Sequence, residues 1–346
     1  MTPASVQTLL DWCSTHGIRI DPRVALVQSD EGSISVVARA GIGSESTLVA
    51  IPKNAILSVR TCYVSEWFGD SYDLAHTSAF ALATALCAEM QRGLLSPFFG
   101  YLQSLPTTCV DIAHLWERDS PEMQWLEGTP AQALIKRRDI LPRARAYFRE
   151  QVVPLLAQHE DLDEVEETDI LHAYSLVSSR AFVVDAYHGM SMVPIADAFN
   201  HTNDFTIQMQ TDYQVCASCG ALFECEHDRE DGDPVPDIII APEAVDLEDT
   251  CDMVTTEFIR AGDEVFNTYD AAGLSNTELL VRYGFILPGN GTGTACAMQY
   301  TVQELERLLE TTSPSDRRVH LALRYVMEER KALEELEASL QSRDEV

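Results

Sequence analysis

The chain has 346 residues, of which 46% are hydrophobic, enough to bury a substantial core as one large domain or two ordinary ones. Its formal net charge is −31, with 24 Lys and Arg against 55 Asp and Glu, which excludes nucleic-acid binding as a primary function because that needs a basic face. No apolar run reaches the roughly 18–20 residues that span a bilayer, and residues 1–12 lack the basic start of a secretory signal, so a cytoplasmic or nuclear protein without a membrane partner is expected.

In chain order, Leu9, Leu10, Trp12 and Cys13 fall at helical spacing before Gly17, which predicts a helix over 7–16. From 18 to 58 the pattern turns to strands: 25–28, 33–38 and 47–51, separated by Asp30-Glu31-Gly32, Gly41 and Gly43, read as a small antiparallel unit. The Glu31-Gly32-Ser33 turn can bring backbone amides close to a ligand, although glycine is common in any hairpin turn. An alanine-rich helix is expected over 72–91, ending at Gly93, with further helices over 130–138, 144–158 and 167–177, the last capped by Thr168. The acidic run 160–167 reads as a solvated linker or helix start. Residues 178–184 return to strand-like sequence. The run 190–195 reads as a buried strand stopped by Pro194, and is followed within a few positions by Asp197, Asn200 and His201. A carboxylate, a carboxamide and an imidazole leaving one strand end can fix a polar ligand from several directions, and equally form a capped turn. Strands follow over 205–210, 237–241, 250–256 and 264–269. Ser275 or Asn276 caps a helix that runs through Leu280 and stops at Gly284, bracketed by Tyr269, Tyr283 and Phe285. From 301 the chain is helical and charged.

Nine cysteines in an intracellular chain do not form a disulfide framework. Cys13, Cys62, Cys87, Cys109, Cys251 and Cys296 are scattered and read as small hydrophobes. Cys216, Cys219, Cys225 and His227 gather four soft or borderline ligands within twelve positions, with Gly220 at the turn. That spacing suits either a tetrahedral structural zinc or a surface loop with free thiols. His201 has no partner beside it at ligand spacing, which argues against a metal there.

Four segments in order resemble the SET-domain protein lysine methyltransferases. They are most similar to the branch of the plant Rubisco large-subunit methyltransferase and its fungal relatives acting on ribosomal proteins and elongation factors. The segments are 32–52, ending in Ile51-Pro52; Ser179-Arg180-Ala181-Phe182; Asp197-Ala198-Phe199-Asn200-His201; and Glu264-Val265-Phe266 through Tyr269, Ser275-Asn276, Glu278-Leu279 and Tyr283-Gly284-Phe285. The resemblance implies an α+β fold, a SET β-clip with a pseudoknot at Asn200-His201. Its parts would be an N-terminal helix (1–17), SET halves at 18–71 and 178–290, a helical insertion at 72–177, an acidic Cys-rich insertion at 211–236 and a short helical C-terminal region at 301–346. Two departures stand out. Ser33 or Ser35 replaces the family's second glycine, and the C-terminal helical lobe is much reduced.

The activity implied is methyl transfer from S-adenosylmethionine to a lysine amine of a basic, non-histone protein such as a ribosomal protein, by a monomer. By the same resemblance, Glu31, Ser33, Ser179, Asp197, Asn200, His201, Tyr269 and Phe285 line the cofactor. Tyr269 is the catalytic tyrosine, and Tyr283 a second tyrosine of the lysine channel. Zinc at the cysteine cluster would brace the insertion rather than catalyse. The alternative is a SET-fold protein-binding module with weak or no catalysis, favoured by the altered glycine turn and opposed by the retention of Asn200, His201, Tyr269 and Tyr283.

Overall fold

A computed structural model describes residues 4–29, 32–68, 78–159, 162, 164–211, 215–222, 225–228, 249–270, 272–293 and 300–344. The chain divides into two compact units, one built from residues 1–107, 155–165 and 180–268, the other from 108–154, 166–179 and 269–346.

The first unit holds the described strands: β1 (Arg19–Ile20), β2 (Val24–Gln28), β3 (Ile34–Ala38), β4 (Thr47–Pro52), β5 (Phe182–Val183), β6 (Met190–Ser191), β7 (Ile207–Thr211) and β8 (Thr250–Thr255). They form a four-stranded sheet in the order β1-β4-β8-β7 and two hairpins, β2-β3 and β5-β6, all antiparallel. Leu48 through Ile51 is buried without interruption, as suits a central strand paired on both sides. The expected strand over 264–269 is a chain of single bridges instead. Val265 N–H donates to Val36 O on one side, while Phe266 O accepts from Thr206 and Ile207 on the other. Asn267 N–H donates to Asn200 O and its own carbonyl accepts from Thr202 N–H. The segment is therefore threaded between β3 and 200–207, the crossing the SET β-clip requires.

Helix Ala4–Thr15 buries Leu9, Trp12 and Cys13 as expected, but Val6 completes the face and Leu10 is only half-buried. It lies so close to Gly100 that an added Cβ there would stand 2.2 Å from Trp12 Cβ. Helix Ala79–Arg92 starts at the Ser78 cap and buries Glu89, whose carboxylate accepts from Tyr63 N–H and Ser96 Oγ–H, both at 2.6 Å. Lys53, one of three lysines in the chain, is 3% exposed and sits 2.8 Å from Asp185 and 2.7 Å from Asp249.

In the second unit, helix Pro130–Arg138 has the predicted bounds, but the next one begins earlier, at Ile140, and its register loosens into a π-turn over Phe148–Val152. Helix Glu167–Arg180 runs through Ser179 and Arg180 rather than ending at 177, and Thr168 lies inside it rather than capping it. The start is closed by Glu166 N–H donating to Asp169 Oδ2 instead. The core gathers Trp116, Leu280, Val281, Leu323 and Tyr325. Helix Val302–Thr311 opens with a full capping box between Thr301 and Glu304. Helix Arg317–Asp344 buries two acids, and both are satisfied by the chain around 289–292. Glu328 accepts from Gly289 N–H, and Glu329 from Thr292 N–H and Oγ–H. The expected strand over 237–241 lies outside the described residues.

Candidate active site

In the first unit, the run expected to be one strand over 190–195 is paired only as far as Met192, which bridges Leu57. Pro194 offers no N–H, and Ile195 then adopts φ 70°, a left-handed conformation unfavourable for a β-branched residue. That bend turns the chain into a 3-10 turn, Ala196–Ala198, and sends Asp197 inward. Tyr101 Oη–H donates to Asp197 Oδ2 at 3.1 Å, and Arg180 Nη1 donates to the Asp197 carbonyl at 3.1 Å and reaches Oδ2 at 3.5 Å. Burial pushes the Asp197 carboxyl above its usual range, against the pull of Arg180. Burial likewise raises Tyr101 far above the ordinary phenol value, with Asp197's charge adding to it.

Arg180, Asp197, Ala198, Leu9, Gly32 and Ser33 line one small cleft. Gly32 takes φ 89° at the hairpin tip, where Ser33 N–H donates to Ser29 Oγ. The Arg180 Nε is buried and has no hydrogen-bond partner among the described residues. A buried guanidinium edge of this kind suits an anionic ligand group such as a carboxylate. At the crossing, Asn200 Nδ2–H donates to Glu264 Oε1 at 2.7 Å, fixing the carboxamide and leaving Oδ1 as an acceptor. His201 is 5% exposed, and burial lowers its pKa against a hydrogen bond with the Asn267 backbone, so its ring is neutral near pH 7.

In the second unit, Tyr269 and Tyr283 are stacked with centroids 4.9 Å apart, and Phe285 stands edge-on to Tyr269 at 6.4 Å. All three are half-buried. Ser275 caps the helix turn that carries Tyr283, its Oγ accepting from Glu278 N–H. The turn widens into a π-turn over Leu279–Tyr283, a register change frequent at functional sites. Gly284 ends it at φ 78°, where a Cβ would stand 3.1 Å from the Asp111 carbonyl. Asn276 then clips the outgoing chain, accepting from Leu287 N–H and donating to Leu287 O, both at 2.8 Å. Phe285 is held between these two fixed points. Burial raises the Tyr283 pKa, so its hydroxyl stays protonated.

Of the residues expected from the sequence, Ser33 and Asp197 share the cleft, Asn200 and His201 occupy the crossing, and Tyr269, Tyr283 and Phe285 form the aromatic cluster. Ser179 turns its hydroxyl onto its own helix, donating to Ser175 O at 2.7 Å. Glu31 lies outside the described residues. Two further residues meet Asp197 there. Arg180 sits inside the quoted Ser-Arg-Ala-Phe motif, and that was its signal. Tyr101 had none, since only tertiary contact brings it to Asp197.

Cys216, Cys219, Cys225 and His227 also meet in the first unit, each offering a ligand atom within 4.8 Å of the others. Backbone N–H groups of Cys219 and Ser218 point at the Cys216 sulfur and hold its thiol down to about 7.

No family model matches the chain. It is 26% identical over 348 residues to the N-lysine methyltransferase setd6 of Xenopus laevis, covering 92% of this chain and 66% of that protein. It is 33% identical over 172 residues to ribosomal lysine N-methyltransferase 3 of Saccharomyces cerevisiae, covering 38% and 31% respectively. The structure of the SET domain of LSMT bound to lysine and AdoHcy superimposes with a TM-score of 0.60 at 22% identity, over 83% of this chain and 58% of that one. The chain spans about half to two thirds of the length of the curated relatives that it matches over most of itself. The chain thus has the SET-domain fold, and its sequence is similar to N-lysine methyltransferases.

Proposed function

We propose that this chain is an S-adenosylmethionine-dependent protein-lysine N-methyltransferase, acting as a monomer in the cytoplasm or nucleus on a basic, non-histone protein such as a ribosomal protein. The observation that carries the reading is the half-buried Tyr269–Tyr283–Phe285 cluster. A lysine amine attacks through its lone pair and must arrive neutral. Aromatic walls that exclude water lower a lysine pKa toward that state. The Tyr269 hydroxyl orients the amine and accepts weak C–H···O contacts from the methyl in flight. Tyr283, kept as a neutral phenol by burial, adds a hydrogen-bonding edge without stabilising the ammonium.

The residues present fit the cofactor. S-adenosylmethionine supplies an electrophilic methyl on a sulfonium. Its amino-acid end carries one carboxylate and one ammonium. Arg180 offers a buried guanidinium edge to the first, and Asn200 Oδ1 an acceptor to the second. Asp197 acts through Arg180, which it anchors by two contacts. The hairpin tip at Gly32-Ser33 closes the same cleft. The names of the relatives, N-lysine methyltransferase and ribosomal lysine N-methyltransferase, support the lysine and the substrate class.

The test is transfer of radiolabelled methyl groups into ribosomal proteins from cells lacking the chain. Labelling that disappears with Tyr269→Phe supports the reading, and labelling that the variant leaves unchanged refutes the site. Calorimetric titration with S-adenosylmethionine separates the enzyme from a binding module, which would give no heat.

A further inference from the structure

The β7–β8 connection carries a cluster that methyl transfer does not use. Cys216, Cys219, Cys225 and His227 place four ligand atoms within 4.8 Å of one another, with Cys225 Sγ 3.6 Å from His227 Nδ1. Around a zinc ion with Zn–S bonds of about 2.3 Å, tetrahedral ligands stand roughly 3.8 Å apart, so only a small contraction separates this arrangement from a closed coordination shell. The turn itself has the form that chelation needs. Gly220 N–H donates to Cys216 O at 2.7 Å, and Cys216 N–H donates to Ala221 O at 2.8 Å. Gly220 takes φ 75°, and the N–H groups of Ser218 and Cys219 point at the Cys216 sulfur.

We propose that Cys216, Cys219, Cys225 and His227 bind one zinc ion in a structural site. Three thiolates and one imidazole fill the tetrahedron, leaving no open position for a water or substrate, which separates this site from a catalytic zinc. Zinc takes all three cysteines as thiolates, so binding releases whatever protons they still carry and leaves the site with a net charge of −1.

The site also has a place in the fold. A Cβ on Gly220 would stand 2.9 Å from the Tyr187 ring, so the knuckle packs directly on that tyrosine. Tyr187 belongs to the turn whose N–H groups are collected by Asp185 Oδ1, from Tyr187 at 2.9 Å and His188 at 2.7 Å. The far end of the same connection returns at Asp249, which reaches Lys53, and Lys53 in turn reaches Asp185. Both ends of the connection thus bear on the turn that feeds β6 and the Val193–His201 stretch. Zinc fixes the entrance of the connection where the Lys53 pair fixes its exit.

Metal analysis of the full chain, purified without chelators and reconstituted with zinc chloride, is expected to find one zinc per chain. Loss of that zinc in a C216S/C219S variant and its retention in Cys109→Ser support the site. Substoichiometric zinc in the wild type, or full zinc in C216S/C219S, overturns it. Cobalt reconstitution of the wild type guards against a variant that fails to fold. Intense tetrahedral d–d bands with thiolate-to-cobalt charge transfer are expected, and a weak octahedral spectrum would sink the proposal. Hydrogen exchange tests the role: zinc removal is expected to raise exchange at 215–222 and 185–191 and leave 130–138 unchanged. Unchanged exchange at 185–191 would refute the brace.

Discussion

On the proposed function, Arg180 and Asp197 form one pair that serves both folding and binding. The Asp197 side chain is 6% exposed and meets a single cation, so Arg180→Ala leaves a buried carboxylate uncompensated and is expected to cost about 3 kcal/mol in urea unfolding. Adding Asp197→Asn removes the stranded charge and is expected to recover most of that stability. It does not recover affinity for S-adenosylmethionine, which calorimetry should find at least about tenfold weaker in both variants. Recovery of affinity along with stability would show that Arg180 touches no ligand. His114 tests burial without a partner. It is 2% exposed, both ring nitrogens lack hydrogen bonds among the described residues, and its pKa falls to about 3, first through burial and then through Arg138 and Arg282. The folded pKa is depressed below the unfolded value of about 6.5, so the neutral ring's contribution is complete above pH about 6.5 and lost as pH falls toward 3. Urea midpoints measured across that window are expected to drop by an amount worth as much as about 4 kcal/mol, and to drop less in His114→Leu. Equal slopes would mean that another group governs the acid limb.

At the scale of elements, the turn from Ser275 to Leu287 is a set of local decisions. Gly284→Ala places a methyl 3.1 Å from the Asp111 carbonyl at a backbone angle that alanine disfavours, and is expected to lower stability by about 1–3 kcal/mol. Because Phe285 follows directly, the same variant should raise KM for the lysine substrate, read by peptide titration. A lowered melting temperature with unchanged KM would mean that the turn does not set the ring. Much of this turn was legible in the sequence, since Ser275 as a cap and Gly284 as a stop follow from chemistry that acts within a few residues. The π-turn between them was not, because a one-residue change of register leaves the apolar spacing nearly intact. Strands β2, β3, β4, β7 and β8 were legible for the same local reason. The run over 190–195 read as a strand because it is apolar, yet Pro194 and the left-handed Ile195 divert it. The 264–267 segment read as an ordinary strand, and only its partners on both sides, remote in sequence, reveal the threading. Arg180 was present in a motif but its purpose depended on Asp197 and on the cleft, neither of which spacing alone can show.

For the whole molecule, the charge of −31 becomes a statement about rate and affinity toward cationic partners. Methylation of a basic substrate is expected to weaken as salt rises, with KM increasing severalfold between about 50 and 300 mM NaCl while kcat holds, since screening acts on encounter rather than on methyl transfer. A flat KM would show that the acidity serves solubility alone. The threaded segment carries a further consequence, one of timing during synthesis. Ser46 already depends on Thr255, 209 positions away, and Asn200 depends on Glu264, 64 positions on. A ribosome making this chain must therefore release β3 and Asn200 long before the segment that closes over them exists. Until residues 264–267 emerge, Asn200 lacks both its Glu264 and its Asn267 partner and the crossing cannot close. On the proposed function, the nascent chain is expected not to bind S-adenosylmethionine until that segment is made. A stalled chain truncated before residue 264 is expected to retain no S-adenosylmethionine under conditions in which the 346-residue chain does, and equal retention would overturn this order of assembly.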